Sequence, residues 1–320
     1  MNRILDIFWR VTFTLGVGAI LVAFSEVLFY QVPDDVDMIA LWLLYSLMVS
    51  PFLSVFTRAD FVLSPSTVLA GASFGFLAEG LLVSELFLYL PFTLLWTSLA
   101  WHLSVSVALG LCVFAKSILE GRTGRSLIKT SLLGAYLGAW NSYMWAVRAV
   151  PDNADVSFDW SRTGGFVEQL PEGVAFLGIG MLLMFFSKQQ FSDDYGIVEK
   201  IGLGAIVTIF AVGQLPINFP FSLILPFMLL LNMKADSVRR NDKAFCQLAA
   251  QRDFVSFLPF LKSLVLHCSV LTLWTLGIYL LLSTYRIGIE MNVIHILAFG
   301  PYGLYLWGKA LMSSFRGALG

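Results

Sequence analysis

Apolar runs long enough to cross a lipid bilayer recur along this chain, and two consecutive ones set the terms for the rest. FVLSPSTVLAGASFGFLAEGLLV and LWTSLAWHLSVSVALGLCVF lie between Phe61 and Phe114, joined by SELFLYLPFT. A helix needs roughly 20 apolar residues to span hydrocarbon, and each run supplies them. Backbone N–H and C=O groups at membrane depth must be bonded within the segment, so such runs are expected as helices. Each also carries an ionisable residue, Glu79 in the first and His102 in the second. A charge at that depth costs roughly 3 kcal/mol unless it finds a partner, which makes both residues candidates for a functional site.

The same measure places spans at about 11–30, 38–56, 61–83, 95–114, 130–150, 172–187, 200–216, 219–233, 262–283 and 293–312. Composition agrees, with 58% hydrophobic residues, only 13% charged and a mean hydropathy of +0.80. The expected fold class is therefore all-α, a polytopic integral membrane bundle of about ten transmembrane helices. The first run follows Arg3 and Arg10 and ends near Ala23-Phe24-Ser25, but is read as a retained span rather than a secretory signal. Residues 200–233 leave two readings open, a pair of spans or a re-entrant pair broken at Pro216-Ile217-Asn218-Phe219-Pro220.

Lysine and arginine orient the bundle. With the N-terminus inside, all of the 20 Lys and Arg residues except Arg148, Arg162 and Arg286 fall on the cytoplasmic side, which places both termini there. The outer segments are acidic, with Asp34, Asp35 and Asp37 in the first and Asp152, Asp155, Asp159, Glu168 and Glu172 around the longest. This loop divides the chain into residues 1–150, a five-helix half with the candidate site, an acidic external loop over 151–171, and a second five-helix half over 172–320. Five is odd, so two similar halves would be inverted relative to one another, as in many secondary transporters. No internal sequence match accompanies that arithmetic. The inner loop KADSVRRNDKAFCQLAAQRDF reads as a solvated, positive-inside connector, and the short loops point to a bacterial inner (plasma) membrane.

Several chemistries are excluded. A net charge of −1, with no basic aromatic stripe, argues against a nucleic-acid partner. Cys112, Cys246 and Cys268 form no CxxC and have no histidine at ligand spacing, and the three histidines are scattered, so neither a metal nor another cofactor is expected. HExxH, Walker A and GxSxG motifs are missing from the sequence, as is the arginine ladder of a voltage sensor.

The candidate site gathers near the outer face. Glu79 lies roughly 6 Å inside the end of its span, Glu26 sits at a similar depth, and His102 is roughly 10 Å in. Arg148 lies within a turn of the outer end of the fifth span. Gly71, Gly75 and Glu79 are spaced by four, and Gly134, Gly138, Asn141 and Arg148 share one face of the fifth span. Glycines at that spacing let helices approach closely, so the third and fifth spans are expected to touch. The expected substrate- or proton-binding set is Glu79, His102, Asn141, Arg148 and Glu26, with Arg148 as counter-charge to Glu79. Ser98 and Ser106 extend a polar stripe from His102, and Trp96 and Trp101 suit an interfacial belt. His267 and His295 read as packing residues, and Gln214, Pro216, Asn218, Pro220 and Pro226 as a turn.

Function follows from the site and from how little chain lies outside the bilayer. The leading expectation is a secondary transporter or exporter of a small solute, possibly proton-coupled, in contact with membrane lipid. An intramembrane enzyme acting on a lipid or prenyl-type substrate, with Glu79 and His102 as acid and base, and a non-catalytic subunit or scaffold are the alternatives.

Overall fold

The computed structural model describes residues 3–31, 36–58, 61–83, 85–87, 89–148, 157–160, 164–188, 196–240 and 255–316. Asp34, Asp35, Asp152, Asp155, Arg162 and Cys246 lie outside them, as does most of the large inner loop. The described chain is almost wholly helical. Helix α1 covers Arg3–Val27, α2 Met38–Thr57 and α4 Leu94–Leu119; α3 runs over Pro65–Leu77 and continues π-wound through Ala78–Val83. Then come α5 (Arg125–Ala146), α6 (Gly164–Ser187), α7 (Ile197–Asn218), α8 (Ile224–Arg240), α9 (Phe257–Thr284) and α10 (Met291–Arg316). Strands β1 (Val147–Arg148) and β2 (Ser157–Phe158) form one short antiparallel pair, Val147 opposite Phe158.

Helices α1, α2, α4, α6, α7 and α9 are long and apolar enough to cross a membrane, and the protein is a helical integral membrane protein. Their starts follow ordinary capping chemistry. Asp37 accepts from Ile39 N at 2.9 Å and Ala40 N at 3.2 Å, so one of the acids expected in the first outer segment proves to be the N-cap of α2. Ser64 accepts from Thr67 N at 3.2 Å, with Pro65 in the first turn of α3, where its missing N–H costs nothing.

One boundary differs from the sequence reading, and one region left open there takes a definite form. Residues 164–171, expected in the acidic loop, are the opening turns of α6, with Pro171 inside the helix. Pro171 is the eighth residue of the helix, past the turn whose N–H groups are free in any case, so it gives up the bond that an N–H there would make to the Val167 carbonyl. The 200–233 region is two helices: α7 runs unbroken to Asn218 through a π-wound turn at Phe210–Gln214, while the apolar Phe221–Ala235 stretch is shorter.

Packing follows a simple rule: helices of the first half pack on one another, and each helix of the second half lies against one of them. Helix α6 runs antiparallel along α1, with Gly180 and Met184 facing Gly16 and Gly173 facing Leu28. Helix α8 is antiparallel to α3, Leu225 meeting Gly80 and Asn232 meeting Ser73. Gly202 of α7 sits on Ser50, near the end of α2. Helix α9 runs parallel to α5, and α10 parallel to α4, where Gly303 abuts Leu99 and Ser104. Small residues at every one of these crossings are what lipid-embedded helices need, because close backbone approach rather than water exclusion holds them together.

Candidate functional site

Helices α1 to α4 converge on a buried polar cluster. Ser25 and Glu26 come from the π-wound end of α1 (Ala23–Val27), Tyr45 from α2, Glu79 from the π-wound end of α3, and His102 and Ser106 from α4, itself π-wound over Leu94–Ala115. A π turn inserts a residue into the helical repeat and shifts which side chains face a neighbour, and such turns recur at functional sites. Gly75 lets α3 and α4 close at this level: a Cβ there would stand 2.4 Å from the Ser98 carbonyl oxygen and 3.0 Å from His102 Cβ.

His102 is the hub. Its Nε2 lies 2.8 Å from Glu79 Oε1 and its Nδ1 3.2 Å from Ser25 Oγ. Ser25 Oγ is 2.7 Å from Ser106 Oγ, and Ser106 reaches the Phe24 carbonyl oxygen at 3.4 Å. Tyr45 donates its phenol proton to Glu26. The Tyr45 and Phe74 rings close the cluster, centred 6.3 and 5.5 Å from the imidazole. Glu79 is 7% exposed, His102 2% and Ser25 not at all.

This hydrogen-bonded chain accommodates both states of the imidazole. With His102 neutral, Nε2–H donates to the Glu79 carboxylate, Ser25 donates to Nδ1, and Ser106 donates to Ser25. With His102 protonated, Nδ1–H donates to Ser25, Ser25 donates to Ser106, and Ser106 turns to the Phe24 carbonyl. Both arrangements leave no donor stranded, so gaining or losing a proton needs only two hydroxyl rotations.

The structure thus gathers Glu79, His102 and Glu26 of the expected set, and does not gather Asn141. That side chain is buried in α5, where Nδ2 donates to the carbonyls of Leu28 at 2.6 Å and Leu137 at 3.0 Å, tying α5 to the end of α1. Arg148 was expected in the last turn of a helix. Helix α5 instead stops at Ala146, and Arg148 sits on β1 opposite Ser157, its side chain outside the described residues. The nearest described partner of Glu79 is the imidazole. The expected glycine contact between the third and fifth spans is also corrected: Gly71 faces Val107 and Leu103 of α4, whereas Gly134 and Gly138 face Leu271, Trp274 and Thr275 of α9. Trp101, expected at the interface, is 3% exposed and donates to the Ser25 carbonyl at 3.1 Å.

Ser25 and Tyr45 escaped the sequence reading because serine and tyrosine are ordinary in apolar helices. A second pairing escaped it too. Buried Arg10 holds Glu199 at 2.7 Å and Asp6 at 2.7 Å, joining α1 to α7 across 189 residues of sequence. His295 lies in a cage of Trp96, Trp101, Trp140 and Phe299, with Nδ1 2.5 Å from the Tyr136 hydroxyl. Among the described residues, no group of three or more His, Cys, Asp or Glu is placed to hold a metal ion.

Fold and site together define a class: a polytopic helical membrane protein with an acid–imidazole cluster in its interior. No protein-family model matches the sequence, and comparison with curated proteins and with solved structures returns no match.

Proposed function

We propose that the protein is a ten-pass secondary transporter of a small solute, driven by protonation of the Glu79–His102 cluster, in a bacterial inner membrane with both termini cytoplasmic. The observation that carries this reading is the reversible hydroxyl chain from His102 through Ser25 and Ser106 to the Phe24 carbonyl. Among the described side chains at the cluster, the imidazole alone can carry positive charge, against the carboxyls of Glu26 and Glu79. With the Tyr45 phenol protonated throughout, such a cluster is neutral only when the two carboxyls and the imidazole hold two protons beyond the state of two carboxylates and a neutral ring. A change in that count changes the charge in a low-dielectric interior, which biases one conformation over another. The helix directions lend support to ten crossings: α6 against α1 and α8 against α3 are antiparallel, α9 with α5 and α10 with α4 parallel, as strict alternation requires. Asn141 and Arg148 are proposed as polar lining outward of the cluster.

The test is proton movement. In proteoliposomes carrying a pH-sensitive dye, a panel of small neutral and anionic solutes is expected to include one that moves protons with it. Glu79→Gln is expected to abolish that movement while folding is retained. Movement that survives in well-folded Glu79→Gln and His102→Ala defeats the proposal.

One observation favours an enzyme instead. Ser25, His102 and Glu79 are spaced like a nucleophile, base and orienting acid. The imidazole, however, presents Nδ1 to the serine and Nε2 to the acid, the reverse of a serine hydrolase, and Ser25 has no exposed surface for a substrate carbonyl to reach. Labelling of Ser25 by a fluorophosphonate would reinstate the enzyme reading.

A further inference from the structure

On a different face of α3 from the cluster lies a cavity of about 380 Å³, bounded by α2, α3, α7 and α8. Ligand pockets in proteins are on the order of 300–1,000 Å³. Ser66, Leu69, Ala70, Ser73 and Leu77 form its α3 wall, a single helical stripe at spacings of three and four. Pro51, Phe52 and Val55 face them from α2, Leu203 and Ile206 from α7, and Leu229, Asn232 and Met233 from α8. Met233 is 47% exposed and, with the partly exposed Phe52 and Leu203, forms the rim.

The lining fixes the chemistry of an occupant. None of the described lining side chains is charged, so a charged group inside would be stripped of water without compensation from them. Two of the three polar residues are already engaged with each other: Asn232 Nδ2 donates to Ser73 Oγ at 2.9 Å, and Asn232 Oδ1 accepts from Trp307 Nε1 at 2.9 Å. The third is not. Ser66 Oγ is buried, its residue 2% exposed, and has no hydrogen-bond partner among the described residues. It is one of six buried hydroxyls without a partner among the described residues, with Ser54, Ser98, Ser222, Thr275 and Ser283, and of the six it alone lines this cavity. From Ser66 to Leu77 the wall extends roughly 16 Å along the helix axis. The modest volume drawn out over that length makes a slot rather than a chamber.

We propose that this slot binds a single uncharged hydrocarbon chain bearing one hydrogen-bonding group, a hydroxyl or carbonyl, which meets Ser66 while the chain runs toward Leu77. The site stands apart from the acid–imidazole cluster and needs no proton movement to be occupied.

The probe is a long-chain alcohol with a photoactivatable diazirine on its chain, added to the full-length protein in liposomes, with labelled residues mapped by peptide mass spectrometry. Labelling is expected at Phe52, Leu69 or Met233, saturating with concentration and displaced by dodecan-1-ol but not by dodecanoate. Ala70→Phe fills the middle of the slot and is expected to remove the saturable labelling; Leu203→Trp does the same from the rim, where a larger side chain is tolerated if Ala70→Phe fails to fold. Ser66→Ala should weaken displacement by dodecan-1-ol about tenfold and leave displacement by dodecane unchanged, as the loss of one hydrogen bond requires. A phospholipid that co-purifies with the wild type and is lost from Ala70→Phe identifies the bilayer as the source of the chain; alcohol labelling without it identifies a free lipophile. Non-saturable labelling no stronger than at lipid-facing Val212 and Ile217, or labelling unchanged in both filled variants, overturns the proposal. Glu79→Gln is expected to label like the wild type, so failure of the proton-coupled reading leaves this result intact.

Discussion

The helices of the first and second halves are alike in composition and opposite in circumstance. Within the most apolar window of each, α1, α2 and α4 have 67%, 56% and 83% of residues buried, whereas α6, α7 and α9 have 39%, 17% and 28%. Helices α1 to α4 form an inner bundle, and α6, α7, α8 and α10 lie against it as a sheath, with α9 packed on the half-exposed α5. Apolar character says nothing about which is which, since lipid accepts a leucine as readily as a protein core does. Polar and small residues make the difference. Ser25, Glu26, Tyr45, Glu79, His102 and Ser106 can be kept only where several helices surround them, and those helices are the inner ones. The sheath keeps its polar side chains where they tie it inward, as Glu199 does to Arg10, Asn232 to Ser73 and His267 to Ser126 at 3.2 Å.

The sharpest way to break this division is to cut one of those ties. Glu199→Ala leaves the Arg10 guanidinium, 1% exposed, with Asp6 as its remaining acidic partner among the described side chains. Removing one member of a buried ion pair costs about 3–5 kcal/mol because the other charge stays buried. A value near the lower end is expected, since Asp6 is retained, read as the midpoint of denaturant-induced unfolding in detergent. Unchanged stability would mean that α7 is held by its apolar contacts alone.

Next in size are the glycines. Gly75→Ala would place a methyl group 2.4 Å from the Ser98 carbonyl oxygen, a backbone atom that cannot turn aside. Separating α3 from α4 is expected to cost about 1–3 kcal/mol and to lengthen the Glu79–His102 contact. Gly213→Ala in α7 meets nothing within 4 Å and should be neutral or slightly stabilising, alanine being the better helix former. Equal costs at the two positions would erase the distinction between bundle and sheath.

These contrasts mark how far the sequence could be read. The helices were legible because hydrocarbon forces any long apolar run to satisfy its own backbone, and the end of α2's approach at Asp37 or of α3's at Ser64-Pro65 is local chemistry. Glu26, Glu79 and His102 were legible as candidates because ionisable groups stand out in apolar runs. Their partners were not. A glycine face announces that some helix comes close without naming it, so the faces of α3 and α5 read as mutual when α4 and α9 fill them. Likewise Arg10 was read only as one of many inward cations, and nothing within either segment pairs it with Glu199, 189 residues away. Arg148 illustrates the remaining limit: a helix that ends at Ala146 rather than near residue 150 moves that residue from a helical face onto the β1–β2 pair.

The smallest expected effect is also the most direct probe of what the sheath faces. Leu273 of α9 is 69% exposed in the isolated protein, and Leu103 of α4 not at all. Leu103→Ala opens a cavity among α3 and α4 side chains, Gly71 among its neighbours, and should cost about 2–5 kcal/mol. Leu273→Ala removes the same atoms from a surface where acyl chains move in to replace them, so its cost should stay within about 0.5 kcal/mol. In a soluble protein an exposed leucine would be a liability and its removal a gain in solubility; here it is part of the solvent boundary. The two substitutions, compared by unfolding in bilayer-like bicelles, therefore separate burial in protein from burial in lipid. A cost at Leu273 approaching that at Leu103 would show that the outward face of α9 is covered by protein, as it would be if copies of this chain associate through the sheath.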